Sequence, residues 1–139
     1  MKRSHRIFLT YASADSSFAE TLSGELHKLD NGIRTVAIAD AGPIDKVFGL
    51  IKQSLINSDL VVFIVPSQEG EGQWALAALG AAKVLGKSIL AVMPDRVRYP
   101  NSVYLRTLLD RPVLDASNMV MPLLAQRVLA SVATKYAAA

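Results

Sequence analysis

Short runs of β-branched and aromatic residues alternate along this chain with stretches whose apolar positions recur every three or four residues. Ile7-Phe8-Leu9-Thr10-Tyr11 reads as a first strand. Ser13 and Asp15 follow as candidate N-caps. Phe18, Leu22, Leu26 and Leu29 then recur at helical spacing, predicting a helix with one buried face. Asn31-Gly32, both tolerant of the left-handed conformation, end it. Residues 33–38 form a second strand, in which Arg34 argues for an edge or a mouth. Asp40-Ala41-Gly42-Pro43 is a loop, punctuated by glycine and proline. Ile44, Val47, Phe48, Ile51 and Leu55 mark a second amphipathic helix ending near Asn57-Ser58.

Residues 60–65 are apolar without interruption, the signature of a central parallel strand covered on both faces. A polar loop from Pro66 to Gln73 leads into a third helix, Trp74 to Leu85, which Gly86 stops. Residues 88–93 read as a fourth strand, 102–109 as a short helix, 112–114 as a short fifth strand, and 119–136 as a final helix. Five strand–helix units in succession imply a parallel sheet with helices on both faces. The expected fold is therefore a single flavodoxin-like domain over residues 1–139, with its core in about residues 6–136. It is a three-layer α/β/α arrangement around a five-stranded parallel sheet of order 2-1-3-4-5. Ligands of such sheets bind beyond the carboxyl ends of the strands where the strand order reverses. Here that crevice lies between strands one and three, lined by residues 11–15 and 66–73.

Composition narrows the chemistry. The chain has 139 residues, 51% of them hydrophobic, enough for one core without staples. It has no cysteine and only two histidines, His5 and His27, far apart, which removes disulfides and disfavours a zinc cluster. No apolar run approaches the ~20 residues of a membrane span, and no long apolar stretch follows Lys2, Arg3 and Arg6 to make a secretory signal. A cytoplasmic protein is expected. The net charge of +3 is modest and its basic residues are scattered, so direct nucleic-acid binding is not expected.

Four short motifs then carry a resemblance. Residues 7–15, Ile-Phe-Leu-Thr-Tyr-Ala-Ser-Ala-Asp, are similar to the first box of TIR (Toll/interleukin-1 receptor) domains, with Thr10 where the family has serine. The loop 40–43 is placed like the family's BB loop. Ser58-Asp59-Leu60-Val61-Val62, with Pro66-Ser67 behind it, resembles the approach to the third strand, and Trp74 with Leu79-Gly80-Ala81-Ala82 resembles the start of helix αC. The resemblance covers residues 6–95 and is carried by the order of the motifs more than by any one of them. It implies a prokaryotic domain that splits NAD+ into nicotinamide and ADP-ribose or its cyclic form, in immune or anti-phage signalling. NAD+ is then a substrate, with no cofactor and no metal.

In that family a glutamate follows the tryptophan four residues on, so the two share one helix face. Its carboxylate stabilises the oxocarbenium-like ribose and anchors ribose hydroxyls. Here Ala78 stands at that position. The site implied by the resemblance comprises Tyr11, Ala12, Ser13, Asp40, Gly42, Ser67 and Trp74, with Ala78 in the place of the catalytic group. Three readings of Ala78 stay open: deliberate replacement, a natural domain that scaffolds rather than cleaves, or a good helix former at a position unrelated to catalysis. The first is preferred, because Trp74 and Leu79 to Ala82 keep the pattern around a single departure. Glu69 and Glu71, beside Gly70 and Gly72, are poor substitutes, since catalysis needs a locked geometry.

Smaller signals have plainer explanations beside them. Tyr11 is as often partly core as pocket lining, and Ser67 as often a loop cap as a ligand contact. Arg34 and Asp40 border the expected mouth. Ala75, Ala78 and Ala82 form a small-residue face suited to core packing or self-association. Family resemblance also implies self-assembly through residues 40–43 and the neighbouring helices, and a possible sensor domain or partner protein. Two alternatives accompany the enzyme: a non-enzymatic TIR self-association module, and a Rossmann-type dinucleotide-binding protein suggested by Gly70-Glu71-Gly72-Gln73-Trp74-Ala75. The latter is the weaker, because residues 66–69 separate the glycines from the strand and two glutamates would oppose a pyrophosphate. A phosphoacceptor receiver domain is rejected, because strands one and three do not end in the acids it needs.

Overall fold

In the computed structural model, residues 5–38, 44–66, 73–95 and 113–138 are described. Their elements are β1 (Arg6–Thr10), α1 (Ser16–Leu29), β2 (Arg34–Ile38), α2 (Ile44–Asn57), β3 (Leu60–Ile64), α3 (Gln73–Val84), β4 (Ile89–Met93), β5 (Val113–Asp115) and α4 (Met121–Ala138). A single 3-10 turn, Ser13–Asp15, leads into α1. The helix expected at residues 102–109 lies outside the described residues.

All four strand pairings are parallel and the order is β2-β1-β3-β4-β5, as the alternation of the sequence implied. The order reverses between β1 and β3, whose carboxyl ends meet at the register pair Thr10 and Phe63. Period-two alternation splits β1 between two cores. Ile7, Leu9 and Tyr11 join Leu22, Leu26, Leu124 and Val128 under α1 and α4. Phe8 joins Leu55, Val61, Phe63, Ala78, Leu79 and Ala82 under α2 and α3. The result is a three-layer α/β/α architecture of flavodoxin-like type. Every residue of β3 is buried, the reason its sequence is uninterruptedly apolar.

Several local expectations are corrected. Asp15 takes the N-cap position of α1, but makes no capping bond through its side chain. The turn closes instead through its backbone, Asp15 N–H donating to Ala12 O at 2.8 Å, and through Ser16 Oγ donating to Ser13 O at 2.8 Å. On α1, Ala19, Leu22 and Leu26 form the buried stripe, while Leu29 is 44% exposed, because it falls past the last turn that covers the sheet. Nor does α1 stop through a left-handed residue, since the only positive φ among the described residues belongs to Gly86. Asp30 is extended, and its Oδ1 accepts from Gly32 N–H at 2.9 Å, an Asx turn that redirects the chain into β2.

The end of α3 follows the expectation. Gly86 has φ +69°, Lys87 N–H donates to Ala82 O at 2.9 Å, and Gly86 N–H donates to Lys83 O at 3.1 Å. That pair of bonds is a Schellman motif, which satisfies the last carbonyls and needs a residue without Cβ strain. No helix among the described residues is long and apolar enough to cross a membrane.

Candidate functional site

The expected crevice sits at the carboxyl ends of β1 and β3, and the described residues build its floor. Thr10, Tyr11 and Ala12 are 2%, 6% and 2% exposed, respectively, so the chain leaving β1 is buried up to the exposed Ser13. On the neighbouring strand, Val65 N–H donates to Val92 O at 2.9 Å, which extends the β3–β4 ladder up to the buried Pro66. Helix α3 starts from this pole and packs across β1, β3 and β4.

The candidate residues separate in this frame. Tyr11 points to the α1 side and belongs to the core there, so its aromatic ring is part of the packed interior. Burial, and secondarily the Glu20 carboxylate, raise its hydroxyl above the ordinary value of 10.0. Ala12 contributes its carbonyl to the turn, and Ser13 lies at the surface. Trp74 and Ala78 both lie on α3, one turn apart. Ala78 is fully buried, within the apolar cluster of Phe8, Phe63, Val65 and Leu79. Together with the equally buried Ala82 it lets the helix lie close on the sheet, so these two alanines serve core packing. Asp40, Gly42 and Ser67 lie outside the described residues.

The opposite pole holds what sequence reasoning missed. Arg34 does not border the carboxyl-end crevice. It begins β2, in register with Arg6 of β1, at the amino end of the sheet. There, Arg6, Arg34, Asn57, Ser58, Asp59 and Lys87 line a cleft of about 610 Å³. An adjoining groove of about 310 Å³ adds Gln53 and Ser54 of α2.

Two of its charges hold the fold together. Asp59 Oδ2 accepts from Arg6 backbone N–H at 2.9 Å, and Asp59 N–H donates to Arg6 O at 2.7 Å, stitching β1 to the approach of β3. Lys87 Nζ donates to Ile56 O at 3.0 Å and to Ser58 O at 3.2 Å, a cation placed on the negative end of α2. Gly86 sets Lys87 in that position. The signal in the sequence was positional: Arg6 and Asp59 each stand immediately before an apolar run, and in parallel strands such residues gather at one pole.

Among the described residues, no group of three or more His, Asp or Glu side chains is gathered to hold a metal ion. No protein-family model matches the chain, and no curated protein matches it.

Proposed function

We propose that this chain is a TIR-like domain whose nucleotide crevice, at the carboxyl ends of β1 and β3, lacks the carboxylate that NAD+ cleavage requires. The observation that supports this reading is the strand order 2-1-3-4-5, with the Trp74–Ala78 turn of α3 on the sheet beside the strand-order switch. Side chains on a helix lean toward its N-terminus, and the N-terminus of α3 lies at this pole. A glutamate at position 78 would therefore lean along the sheet face toward this pole, and would have to open the packing around Ala78 to reach the mouth.

In the parent reaction the bond between ribose C1 and the nicotinamide nitrogen breaks, and the pyridine leaves with the electron pair. Water, or a nitrogen of the adenine ring, then takes the ribose carbon. The carboxylate lowers the energy of the positive ribose in between. Alanine has no charge to offer. In this reading the domain acts in the cytoplasm, in immune or anti-phage signalling, and completes its pocket by self-assembly through residues 40–43.

A second reading, a non-enzymatic TIR self-association module, is favoured by the complete burial of Ala78, which suits it as a core residue in its own right. Nicotinamide release by the chain, by Ala78→Glu and by Ala78→Gln, at concentrations that drive assembly, separates the two. The enzyme reading expects release from Ala78→Glu alone, on the order of 10²–10³ above the amide variant. Glutamine imposes the same bulk without the charge, so equal silence from two folded variants removes the enzyme reading and leaves the module.

A further inference from the structure

We propose that Arg6 and Arg34 form a receptor for a diphosphate-bearing anion in the cleft at the amino ends of the strands, at the pole opposite the nucleotide crevice and independent of it. The two arginines are directly paired in the parallel register of β1 and β2. Alternation puts both on the α2 side, since Phe8, two residues after Arg6, packs there. Like charges at directly opposed positions repel, and a bound anion turns that repulsion into attraction.

The other charges of the cleft are committed elsewhere. The Asp59 carboxylate accepts from Arg6 backbone N–H, and the Lys87 ammonium bonds the carbonyls of Ile56 and Ser58. Lys87 thereby neutralises the helix end that would otherwise repel an anion. Both arginines are exposed, and among the described residues neither guanidinium donates a hydrogen bond. A guanidinium presents paired donors that match adjacent oxygens of a phosphate. Two guanidiniums on neighbouring strands match two linked phosphates, and Gln53, Ser54 and Asn57 add neutral polar groups along the groove. The cleft volume, about 610 Å³, falls within the range of small-molecule sites.

Backbone and arginine Nε resonances, followed by NMR while inorganic pyrophosphate is added at constant ionic strength, test the proposal. Saturable shifts are expected at residues 6, 34, 57–59 and 87. R6Q and R34Q should each weaken binding at least ten-fold with an unchanged thermal midpoint, and R34K should weaken it less than R34Q. Titration with ADP separates a free diphosphate from a nucleotide: equal affinity assigns recognition to the phosphates alone, and tighter binding with added shifts along Gln53 and Ser54 extends the site to the nucleoside. The proposal is overturned if sodium chloride reproduces the shifts, if R6Q/R34Q binds pyrophosphate as the parent does, or if the shifts map instead to residues 11–15 and 73–78. Adenosine binding as tightly as ADP overturns it as well.

Discussion

At the amino ends of the strands, charged side chains make long-range ties. Asp59 reaches Arg6 across 53 positions of sequence, and Lys87 reaches Ile56 and Ser58 across 31 and 29. At the carboxyl ends, among the described residues, backbone bonds continue the sheet, Val65 N–H donating to Val92 O and Ala116 N–H to Met93 O, while the turns close locally. Ala12 O takes Asp15 N–H, Ser13 O takes Ser16 Oγ, and Asp115 Oδ1 takes Ser117 N–H at 2.9 Å. Among the described residues, one pole therefore ties its strands through charged side chains as well as backbone, whereas the other carries local turns on the continuing backbone ladder. Local turns can change without unfastening the sheet, which is why α/β folds place their ligand-binding loops at that end. Here, however, a charged cleft lies at the pole that the long-range side-chain bonds hold together.

Removing matched groups at the two poles tests this contrast most strongly. Asp59→Ala leaves a part-buried N–H of Arg6 without its acceptor and is expected to cost about 1–3 kcal/mol. Ser16→Ala removes an exposed local bond and is expected to cost within about 0.5 kcal/mol. Urea denaturation with unchanged slopes measures both, and equal losses would break the comparison.

A smaller effect is expected from Gly86→Ala. A Cβ there meets no heavy atom within 4 Å, so the loss of about 1 kcal/mol comes from the φ of +69° alone. It should also loosen Lys87, seen as faster amide exchange at the end of α2. A loss confined to α3 would mean that Lys87 does not couple the two helices.

The smallest effect at neutral pH belongs to Tyr11→Phe. The folded-state value of Tyr11 lies above that of the unfolded chain, near 10.0, so its contribution is intact below about pH 10 and is lost as pH rises toward the folded value. The variant should match the parent in thermal midpoint at pH 7 and exceed it above pH 10. Parallel midpoint profiles through the alkaline range would argue that the hydroxyl is solvated in the folded protein.

Much of the fold was legible because its signals are local. The apolar run at residues 60–65 announced a strand buried on both faces, Gly86 announced a helix stop, and strand–helix alternation with right-handed crossovers left few sheet orders to choose from. The candidate site was legible only in outline. Periodicity placed Tyr11 at the end of β1, but whether it faced the crevice or the core depended on which helix covered its side of the sheet. It faces the core beneath α1. Arg34 was recognised as unusual in a strand, yet which end of the sheet it occupied followed from its register with Arg6.

By itself, then, the sequence determined the elements, their order and the small-residue face of α3, because propensity, period and chirality act over a few residues at a time. The tertiary structure alone decided that Ala78 is sealed against Phe63 and Val65, and that Arg6, Arg34, Asp59 and Lys87 share one cleft. Parallel strands bring their amino ends together only after each intervening helix has crossed back over the sheet, so residues far apart in the chain become neighbours that no local pattern records.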